Sequence, residues 1–440
     1  MQNWIDAEKL LNIYPQKNKG KKMKKNWKKG ELHIHTIWSD GNALPEIVIN
    51  TYKNKGYDFV CLSDHNVFQE DEHAWIQVVK ENVWPGSYYR DVFEDDMKLA
   101  LPAPIDKKQL GLRTFVRMKT YKELKKEWEI PGKFLVVPGN EISIPIQNYG
   151  KEERGYYLHY NLFNIAANVP VPQHGSLEEL TGEVIEIFNK HNNNNGSFLM
   201  LNHPFWRSWD VDPFILINHA EIKLFEICNS GSSYVPENWI CSPDKYYDFV
   251  LAHRLTAGNG LVYVTATDDS HYFRPDQYNT ILSPNKSWVV VNCRNEFTAE
   301  NITKSMLEGD FYASCGVMLE DVSFENGTLN VKVEAEEGVN YRIDFISTKK
   351  DFDRSIEYKE YTLERSELNR EFPLIREDIG IIIKSVSGTS ASCKITDDDL
   401  YIRAVITANK KVRVSQSLYP TYQCAWTQPF ILNGSEPNIN

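Results

Sequence analysis

The segment Glu31-Leu32-His33-Ile34-His35-Thr36 sets the pattern that decides the predicted fold, a short apolar run that carries metal-type side chains. His33 and His35 are two positions apart, so on a strand both side chains point to the same face. Histidines and carboxylates also lie at or near the ends of apolar runs in six downstream segments: Ser39-Asp40-Gly41, Leu62-Ser63-Asp64-His65-Asn66, Pro138-Gly139-Asn140-Glu141, Tyr157-Leu158-His159, Leu201-Asn202-His203-Pro204 and Thr267-Asp268-Asp269-Ser270-His271. In the last of these, Asp269 and His271 repeat the i, i+2 spacing. Polar groups that repeatedly follow apolar runs indicate strand ends gathered at one edge of a sheet or barrel.

Seven apolar runs occur in the first three hundred residues. Between several of them lie stretches of helical character, such as Pro45–Lys55, Leu177–His191 and Tyr246–Leu255. The runs are Glu31–His35, Asp58–Ser63, Lys133–Ser143, Tyr157–Ile165, Ser197–His203, Lys223–Asn229 and Gly260–Thr267. Strands that alternate with helices imply parallel βαβ units, in either an open sheet or a barrel. The number of runs favours an α/β barrel over residues 30–315, interrupted by an insertion at about 68–131 that we expect to form helices over one rim.

The sequence pattern changes near Gly316. From there it reads as short strands separated by turn signals such as Asn326-Gly327 and Glu337-Gly338. We therefore predict a smaller β-sandwich domain at 316–440. Residues 1–29 are predicted to be a basic, solvated lead-in, because the part from 17 to 29 is rich in lysine.

Composition narrows the class of protein. The formal net charge of −11 over 440 residues argues against a general nucleic-acid binder. The seven cysteines form no C-x-x-C pair, which favours free thiols in a reducing compartment. Without an 18-residue apolar run or a signal-peptide core, we expect no membrane span and a cytoplasmic location. The sequence makes no prediction of the oligomeric state.

Six histidines and three carboxylates form the predicted metal-ligand set. They are His33, His35, Asp40, His65, Glu141, His159, His203, Asp269 and His271. Imidazole and carboxylate ligands suit zinc, manganese or iron, and nine ligands exceed the needs of one tetrahedral zinc. The set would suffice for two or three ions with one bridging carboxylate.

Three functions follow from such a set. A di- or trinuclear site matches phosphate ester hydrolysis by a metal-bound hydroxide, which is the leading prediction. Hydrolysis of a carboxylic or carbamic ester at the same metals is the alternative. The rival from another class is a non-catalytic carbohydrate- or protein-binding module on a degenerate barrel.

The ordered motifs H-x-H-T, S-D-G, S-D-H-N, G-N-E, H, N-H-P and D-D-S-H resemble the PHP (polymerase and histidinol phosphatase) superfamily over residues 30 to 275. The resemblance implies a distorted (β/α)7 TIM-like barrel with up to three divalent metals and a small-molecule ester substrate. In the leading prediction this substrate is phosphorylated. The β-rich region with Ala425-Trp426-Thr427-Gln428-Pro429 looks like the subset that appends a C-terminal β-domain. That subset includes a carbamate-ester hydrolase, so hydrolysis of a carboxylic or carbamic ester stays open as the alternative function.

The resemblance also implies roles for individual residues. His33 and His35 would hold the first metal with Glu141 and Asp269. The remaining assignments are Glu141, His159 and His203 for the second metal and Asp40, His65 and His271 for the third. Asp64 would orient a ligand, and Asp268 replaces a residue that is often small, so its role stays open.

Two residues are our candidate catalytic side chains, Asp64 and Arg207. Phosphate substrates need a cation besides metal, and a guanidinium can pair with phosphate in a bidentate fork. Arg207 is the first choice because it lies four residues after His203, with Arg154 and Arg274 as alternatives, although an ordinary surface arginine is equally consistent. Three aromatic residues that flank ligand positions could form a wall for a substrate ring, although packing is favoured for each; they are Trp38, Phe205 and Trp206.

Overall fold

The structure is a computed structural model. It describes residues 25–79, 92–93, 101–146, 156–192, 196–206, 211–231, 241–273, 282–363, 368–412 and 422–432. The helices in these ranges are α1 (Pro45–Asn54), α2 (Tyr121–Trp128), α3 (Leu177–His191), α4 (Pro213–Asn218), α5 (Pro243–Thr256) and α6 (Ala299–Leu307). The first eleven strands are β1 (Trp27–Glu31), β2 (Phe59–Leu62), β3 (Trp75–Val79), β4 (Val92–Phe93), β5 (Lys107–Leu110), β6 (Arg113–Arg117), β7 (Leu135–Ile146), β8 (Tyr156–Phe163), β9 (Phe198–Leu201), β10 (Leu224–Asn229) and β11 (Tyr263–Thr267). The others are β12 (Trp288–Asn292), β13 (Phe311–Ser314), β14 (Leu319–Glu325), β15 (Thr328–Val333), β16 (Tyr341–Ser347), β17 (Tyr358–Leu363), β18 (Leu368–Pro373), β19 (Ile381–Ser387), β20 (Ser390–Lys394), β21 (Arg403–Lys411) and β22 (Tyr422–Thr427).

A large mixed sheet organises the molecule. Its 13 strands run in the order β11-β10-β9-β8-β7-β2-β1-β12-β13-β22-β21-β16-β19. The pairs β1–β2, β2–β7, β9–β10 and β10–β11 are parallel, whereas β8 runs antiparallel to both β7 and β9. The predicted α/β class is confirmed. The predicted closed barrel of parallel strands is not found, because the sheet is not closed.

The reversal at β7 has a local cause. β7 ends at Ile146 and β8 begins at Tyr156, so the connection is shorter than the dozen or more residues that a parallel crossover requires. The two strands therefore pair as a long antiparallel ladder, in which Glu141 lies opposite Asn161.

The segments that follow β1, β2 and β11 nevertheless converge near the middle of β7. An isolated parallel bridge joins Ile34, after β1, to Ser270, after β11. The amide of His35 donates to the Ser270 carbonyl at 3.1 Å. A second bridge joins His65 to Glu141. The curled sheet thus brings distant segments together at one end, where the candidate site lies.

Helix α3 shows how the local sequence fixes these elements. The Ser176 hydroxyl accepts from the Glu179 amide, and the Glu179 carboxylate accepts from the Ser176 amide at 2.8 Å. This capping box satisfies donors that the first helical turn leaves free. The buried residues Leu180, Val184 and Phe188 then follow at helical spacing and face the core.

The insertion differs from its prediction. Helices over one rim were expected between residues 68 and 131. The described part instead holds one helix, α2, and a four-stranded sheet in the order β4-β3-β6-β5.

The region after Gly316 is built of strands. β14, β15 and β20 form a separate three-stranded sheet, and its Leu329 and Val331 share an apolar core with Ile343 and Phe345 of the large sheet. The large sheet itself crosses the predicted boundary at residue 316, since β13 pairs with β22. Among the described residues, no helix has the length and apolar character needed to cross a membrane.

Candidate metal centre

Two histidines after β1 form the floor of the site. His33 and His35 are fully buried. The Nε2 atom of His33 lies 3.2 Å from Glu141 Oε1 and 3.3 Å from Asp269 Oδ1. The Nε2 atom of His35 lies 3.4 Å from Glu141 Oε2 and 3.0 Å from Asp269 Oδ1. The predicted i, i+2 pair therefore meets one carboxylate from β7 and another from the segment after β11.

Glu141 lies at the centre of the cluster. Besides His33 and His35, its carboxylate oxygens lie 2.7 Å from His65 Nδ1, 2.9 Å from His159 Nδ1 and 3.7 Å from His203 Nε2. Burial alone would raise the pKa of Glu141, but the neighbouring imidazoles, with His65 and His33 foremost, outweigh it and hold the pKa well below its usual range. Glu141 is thus an anionic side chain shared by five imidazoles.

Asp40 gathers the remaining histidines. Its oxygens lie 3.4 Å from His271 Nε2, 3.6 Å from His35 Nδ1 and 3.6 Å from His65 Nε2. Burial opposes ionisation of Asp40, but its hydrogen bond with His271 and the neighbouring imidazole charges lower its pKa. This group forms the more open side of the cluster, because the side chains of Asp40 and His65 are 35% and 25% exposed.

All nine predicted ligands lie in this cluster. They form four overlapping groups, in each of which the candidate ligand atoms are within 4.8 Å of one another. The groups are His35, Asp40, His65 and His271; His33, His203 and Asp269; His33, His35 and Glu141; and His65, Glu141 and His159. The structure brings the nine side chains together, and their individual roles as ligands remain predictions.

The cluster fits divalent cations. In the described part of the chain, the buried atoms His33 Nε2, His35 Nε2 and Glu141 Oε2 lie close to other atoms of the cluster but form no hydrogen bond of suitable geometry. Buried polar atoms without partners are costly, so atoms that face one centre indicate a missing positive ligand. The donors are nitrogen and oxygen only, the set that suits zinc, manganese or iron.

The protonation of two histidines also suits metal binding. Burial, with the nearby charges of His271 and His65, lowers the pKa of His35 to about 3. Burial is likewise the main cause that lowers the pKa of His159 to about 4. Both imidazoles are therefore neutral near pH 7, the form that coordinates metal.

Two of the predicted ligands have unusual backbone. Six described non-glycine residues have positive φ; four are asparagines, and the others are His203 at 24° and Asp269 at 49°. The left-handed region is costly for residues with a Cβ and tends to be retained at functional sites. Gly231 packs against Asp269, since an added Cβ would lie 2.8 Å from the Asp269 carbonyl oxygen.

Asp64 lies beside the cluster and binds the loop that carries His35 and Asp40. Its carboxylate accepts from the Thr36 amide at 2.7 Å, the Thr36 hydroxyl at 2.8 Å and the Ser39 hydroxyl at 2.7 Å. Gln69 donates a fourth bond at 2.7 Å. These contacts place Asp64 against the loop of two proposed ligands, and its role in orienting a ligand stays a prediction.

Asp268, whose role the sequence left open, faces away from the ligands. It accepts from the amides of Lys286 and Ser287 at 2.7 and 2.8 Å and from the Tyr52 hydroxyl at 2.9 Å. Asp268 therefore ties the segment after β11 to the start of β12.

The remaining candidates divide into three groups. Arg207, Arg154 and Arg274 lie outside the described residues. Phe205 packs in the core against Phe225 and Tyr246, and the Trp38 indole donates to the Lys119 carbonyl. Trp206 differs, because its ring centroid lies 5.2 Å from that of His203 and 5.7 Å from that of His159.

Sequence reasoning missed two polar residues beneath the cluster. Asn202 donates to Glu141 Oε1 at 2.8 Å, and buried Glu226 contacts His33 Nδ1 at 2.8 Å. The available signal for Glu226 was an acidic residue inside the apolar run Leu224–Asn229, where a charge needs a buried partner.

No family model matches the chain, and no curated protein matches it. Among solved structures, a two-domain protein from Bacteroides vulgatus, described as containing a predicted PHP-like metal-dependent phosphoesterase, is 12% identical with a TM-score of 0.41, and the match covers 95% of this chain and 100% of that one. An amidohydrolase from Chromobacterium violaceum is 12% identical with a TM-score of 0.29 over 55% of this chain and 87% of its own. A candidate metal-dependent phosphoesterase from Bifidobacterium adolescentis is 11% identical with a TM-score of 0.30 over 63% of this chain and 95% of its own. These similarities are distant.

Proposed function

We propose that this chain is a metal-dependent hydrolase of the PHP type, a phosphoesterase that acts on a small phosphorylated molecule. One observation carries the proposal. Nine histidine and carboxylate side chains, which are spread from residue 33 to residue 271, form four overlapping ligand groups at one end of the sheet. The ordered motifs that resemble the PHP superfamily supply the same nine residues.

The proposed metal positions follow the contacts. Glu141 would bridge one ion held with His33, His35 and Asp269 to a second held with His159 and His203. Asp40, His65 and His271 would hold a third. Bound divalent cations lower the pKa of coordinated water and stabilise charge on phosphoryl oxygens, which is the chemistry that phosphate ester hydrolysis requires.

The protein's own side chains prepare this chemistry. Glu141 and Asp269 are anionic and buried, so they supply negative charge where the cations would lie. His33, His35 and Glu141 are closed to solvent, whereas Asp40 and His65 are partly exposed. We infer that the substrate reaches the cluster from the Asp40 and His65 side.

The test combines metal counting with two assays. The purified chain is stripped with a chelator, resupplied with zinc, manganese or ferrous iron, and its metal content is measured by emission spectrometry. We expect two or three ions per chain and metal-dependent hydrolysis of an aryl phosphate. The His35→Ala variant, which removes a buried ligand, is the control and should lose both.

Three other outcomes would each contradict one part of the proposed function. Less than one ion per chain after supplementation contradicts the metal site. Full metal content with faster turnover of an aryl acetate than of an aryl phosphate replaces the phosphoesterase with a carboxylic or carbamic ester hydrolase. Full metal content without turnover of either ester, or of a panel of phosphorylated metabolites, contradicts the proposal that the chain is an enzyme.

A further inference from the structure

Glu226 on β10 is a buried carboxylate that contacts two of the proposed ligands. Its side chain is fully enclosed. Oε1 lies 2.8 Å from His33 Nδ1 and accepts from the Thr267 hydroxyl at 2.6 Å. Oε2 accepts from the His203 amide at 2.7 Å and from the Asn229 side-chain amide at 2.8 Å.

The contact with His33 fixes which ring nitrogen carries the hydrogen. A carboxylate accepts, so Nδ1 carries a hydrogen, and Nε2 is the nitrogen left to bind a metal. That Nε2 atom is the one that faces Glu141 and Asp269, at 3.2 and 3.3 Å. Glu226 thereby presents the coordinating nitrogen of His33 to the centre of the cluster.

The contact with His203 holds a strained backbone. His203 has a φ of 24°, in the left-handed region, and its amide donates to Glu226 Oε2. A hydrogen bond to a carboxylate is stronger than one between neutral groups, so it can offset the cost of this conformation. The same carboxylate therefore fixes a ligand after β1 and a ligand after β9.

We propose that Glu226 is a positioning residue that couples two metal positions, by setting the tautomer of His33 and the backbone of His203. The inference rests on the proposed function, since His33 and His203 belong to its first and second metals. Four groups donate hydrogen bonds to this one carboxylate. A glutamine side chain cannot accept all four of them. Whichever way its amide turned, an NH₂ group would face two donors.

The test compares two isosteric changes of buried glutamates. Glu226→Gln alters the contacts above. The control, Glu46→Gln, changes an equally buried carboxylate on α1, where Lys119 Nζ lies 3.7 Å from it. Zinc affinity is measured by competition with a chromophoric chelator. We expect Glu226→Gln to weaken zinc binding by roughly 10- to 100-fold, the usual effect of losing a partner of a metal ligand. The control should bind zinc as the wild type does.

A spectroscopic readout separates positioning from loss of fold. In protein loaded with cobalt(II), the visible absorption should change in position and intensity for Glu226→Gln but not for Glu46→Gln. Circular dichroism of the metal-free proteins checks folding. If Glu226→Gln does not fold, Thr267→Val removes one donor to the same oxygen and should weaken zinc binding by about 5-fold.

Different results would contradict the proposed function and the positioning role of Glu226. Wild-type protein that binds no zinc contradicts the proposed function. Wild-type protein that binds zinc, together with a folded Glu226→Gln variant of unchanged affinity and unchanged cobalt spectrum, contradicts the positioning role alone. An unchanged zinc affinity of Thr267→Val contradicts it where Glu226→Gln cannot be studied.

Discussion

Three imidazoles of the cluster are held through Nδ1, which leaves Nε2 for the centre. The Nδ1 contacts are His33 with Glu226, His35 with the Ser39 hydroxyl at 3.4 Å, and His271 with the Asp269 carbonyl at 2.8 Å. Such contacts fix both the tautomer and the plane of a ring that binds metal. At the scale of single residues, the site is therefore organised by the neighbours of its ligands as much as by the ligands.

Glu141 carries the sharpest prediction at this scale. Glu141→Gln keeps the size of the side chain but removes the negative charge that five imidazoles share. We expect the metal content to fall by at least one ion per chain. The phosphatase rate should fall by about 10²-fold or more, because a catalytic metal supplies several kcal/mol. Metal analysis beside single-turnover kinetics checks this, and an unchanged metal content would contradict the bridging role.

The residues of the cluster could be predicted because each one follows an apolar run or lies within one, and their roles as ligands stay predictions. Glu226 and Asn202 could not, because their importance comes from contacts across strands. Glu226 reaches His33, which is 193 residues away in sequence. A single chain shows that a charge lies in an apolar strand but does not show which partner neutralises it.

Single elements were predictable where local chemistry decides them. The predicted helices at Pro45–Lys55 and Leu177–His191 correspond to α1 and α3, which begin at a proline and after a capping serine. The direction of strand pairing was less accessible. β8 is an apolar run like its neighbours, yet it pairs antiparallel to β7, because their short connection allows no crossover, and it also pairs antiparallel to β9.

The loop between β1 and α1 depends on a close backbone approach at Gly41. An added Cβ there would lie 2.5 Å from the His35 carbonyl oxygen. We expect Gly41→Ala to displace the loop that carries His35 and Asp40, to weaken zinc binding, and to cost about 1–3 kcal/mol of stability. Gly182→Ala is the matched control, because its Cβ would meet no atom within 4 Å and it lies inside α3. That change should stabilise the protein by roughly 0.5–1 kcal/mol.

Chemical denaturation and zinc titration of both variants test this prediction. Equal zinc affinities of Gly41→Ala and the wild type would show that the loop tolerates the added methyl group.

Helix α5 supplies a pH-dependent contribution to stability. Burial, with the nearby charge of Arg354, lowers the pKa of His253 to about 4, whereas an unfolded histidine titrates near 6.5. The unfolded chain therefore binds the proton first as the pH falls. The stabilisation is present above pH 6.5 and is lost between about pH 6.5 and 4.

His253→Gln removes this titration. We expect the free energy of unfolding of the wild type, measured in urea, to fall more between pH 7 and 5 than that of the variant, by an amount on the order of 1 kcal/mol after solvent screening. The metal-site histidines titrate in both proteins, so the difference reports on His253. Parallel pH profiles of the two proteins would contradict the assignment.

At the scale of the whole molecule, an ion cluster joins the two predicted regions, in addition to the large sheet that spans them. Arg403 of β21 is fully buried and donates to Asp248 of α5 at 2.7 Å and to Asp244 at 3.0 Å. The Tyr401 hydroxyl donates to Asp248 at 2.7 Å. Burial alone would lower the pKa of Arg403, but the two carboxylates hold it above its usual range.

The continuity of the large sheet and this ion cluster make one prediction about the molecule as a unit. Arg403→Ala leaves the carboxylate of Asp248 buried without its main partner, so it should cost about 3–5 kcal/mol. Because β21 and α5 belong to different predicted domains, the loss should lower the stability of both regions together. Lys332→Ala is the control, since it removes an exposed ion pair with Glu320 and should cost less than about 1 kcal/mol.

Calorimetry and hydrogen exchange measure the two variants. If the regions form one cooperative unit, Arg403→Ala shifts a single unfolding transition, and amides in β10 and β16 lose protection to the same extent. The alternative result is two unfolding transitions, of which Arg403→Ala shifts only the one that belongs to the region after residue 316. That result would mean that this region unfolds by itself. The metal centre would then keep its stability in that variant, because all nine of its proposed ligands precede residue 316.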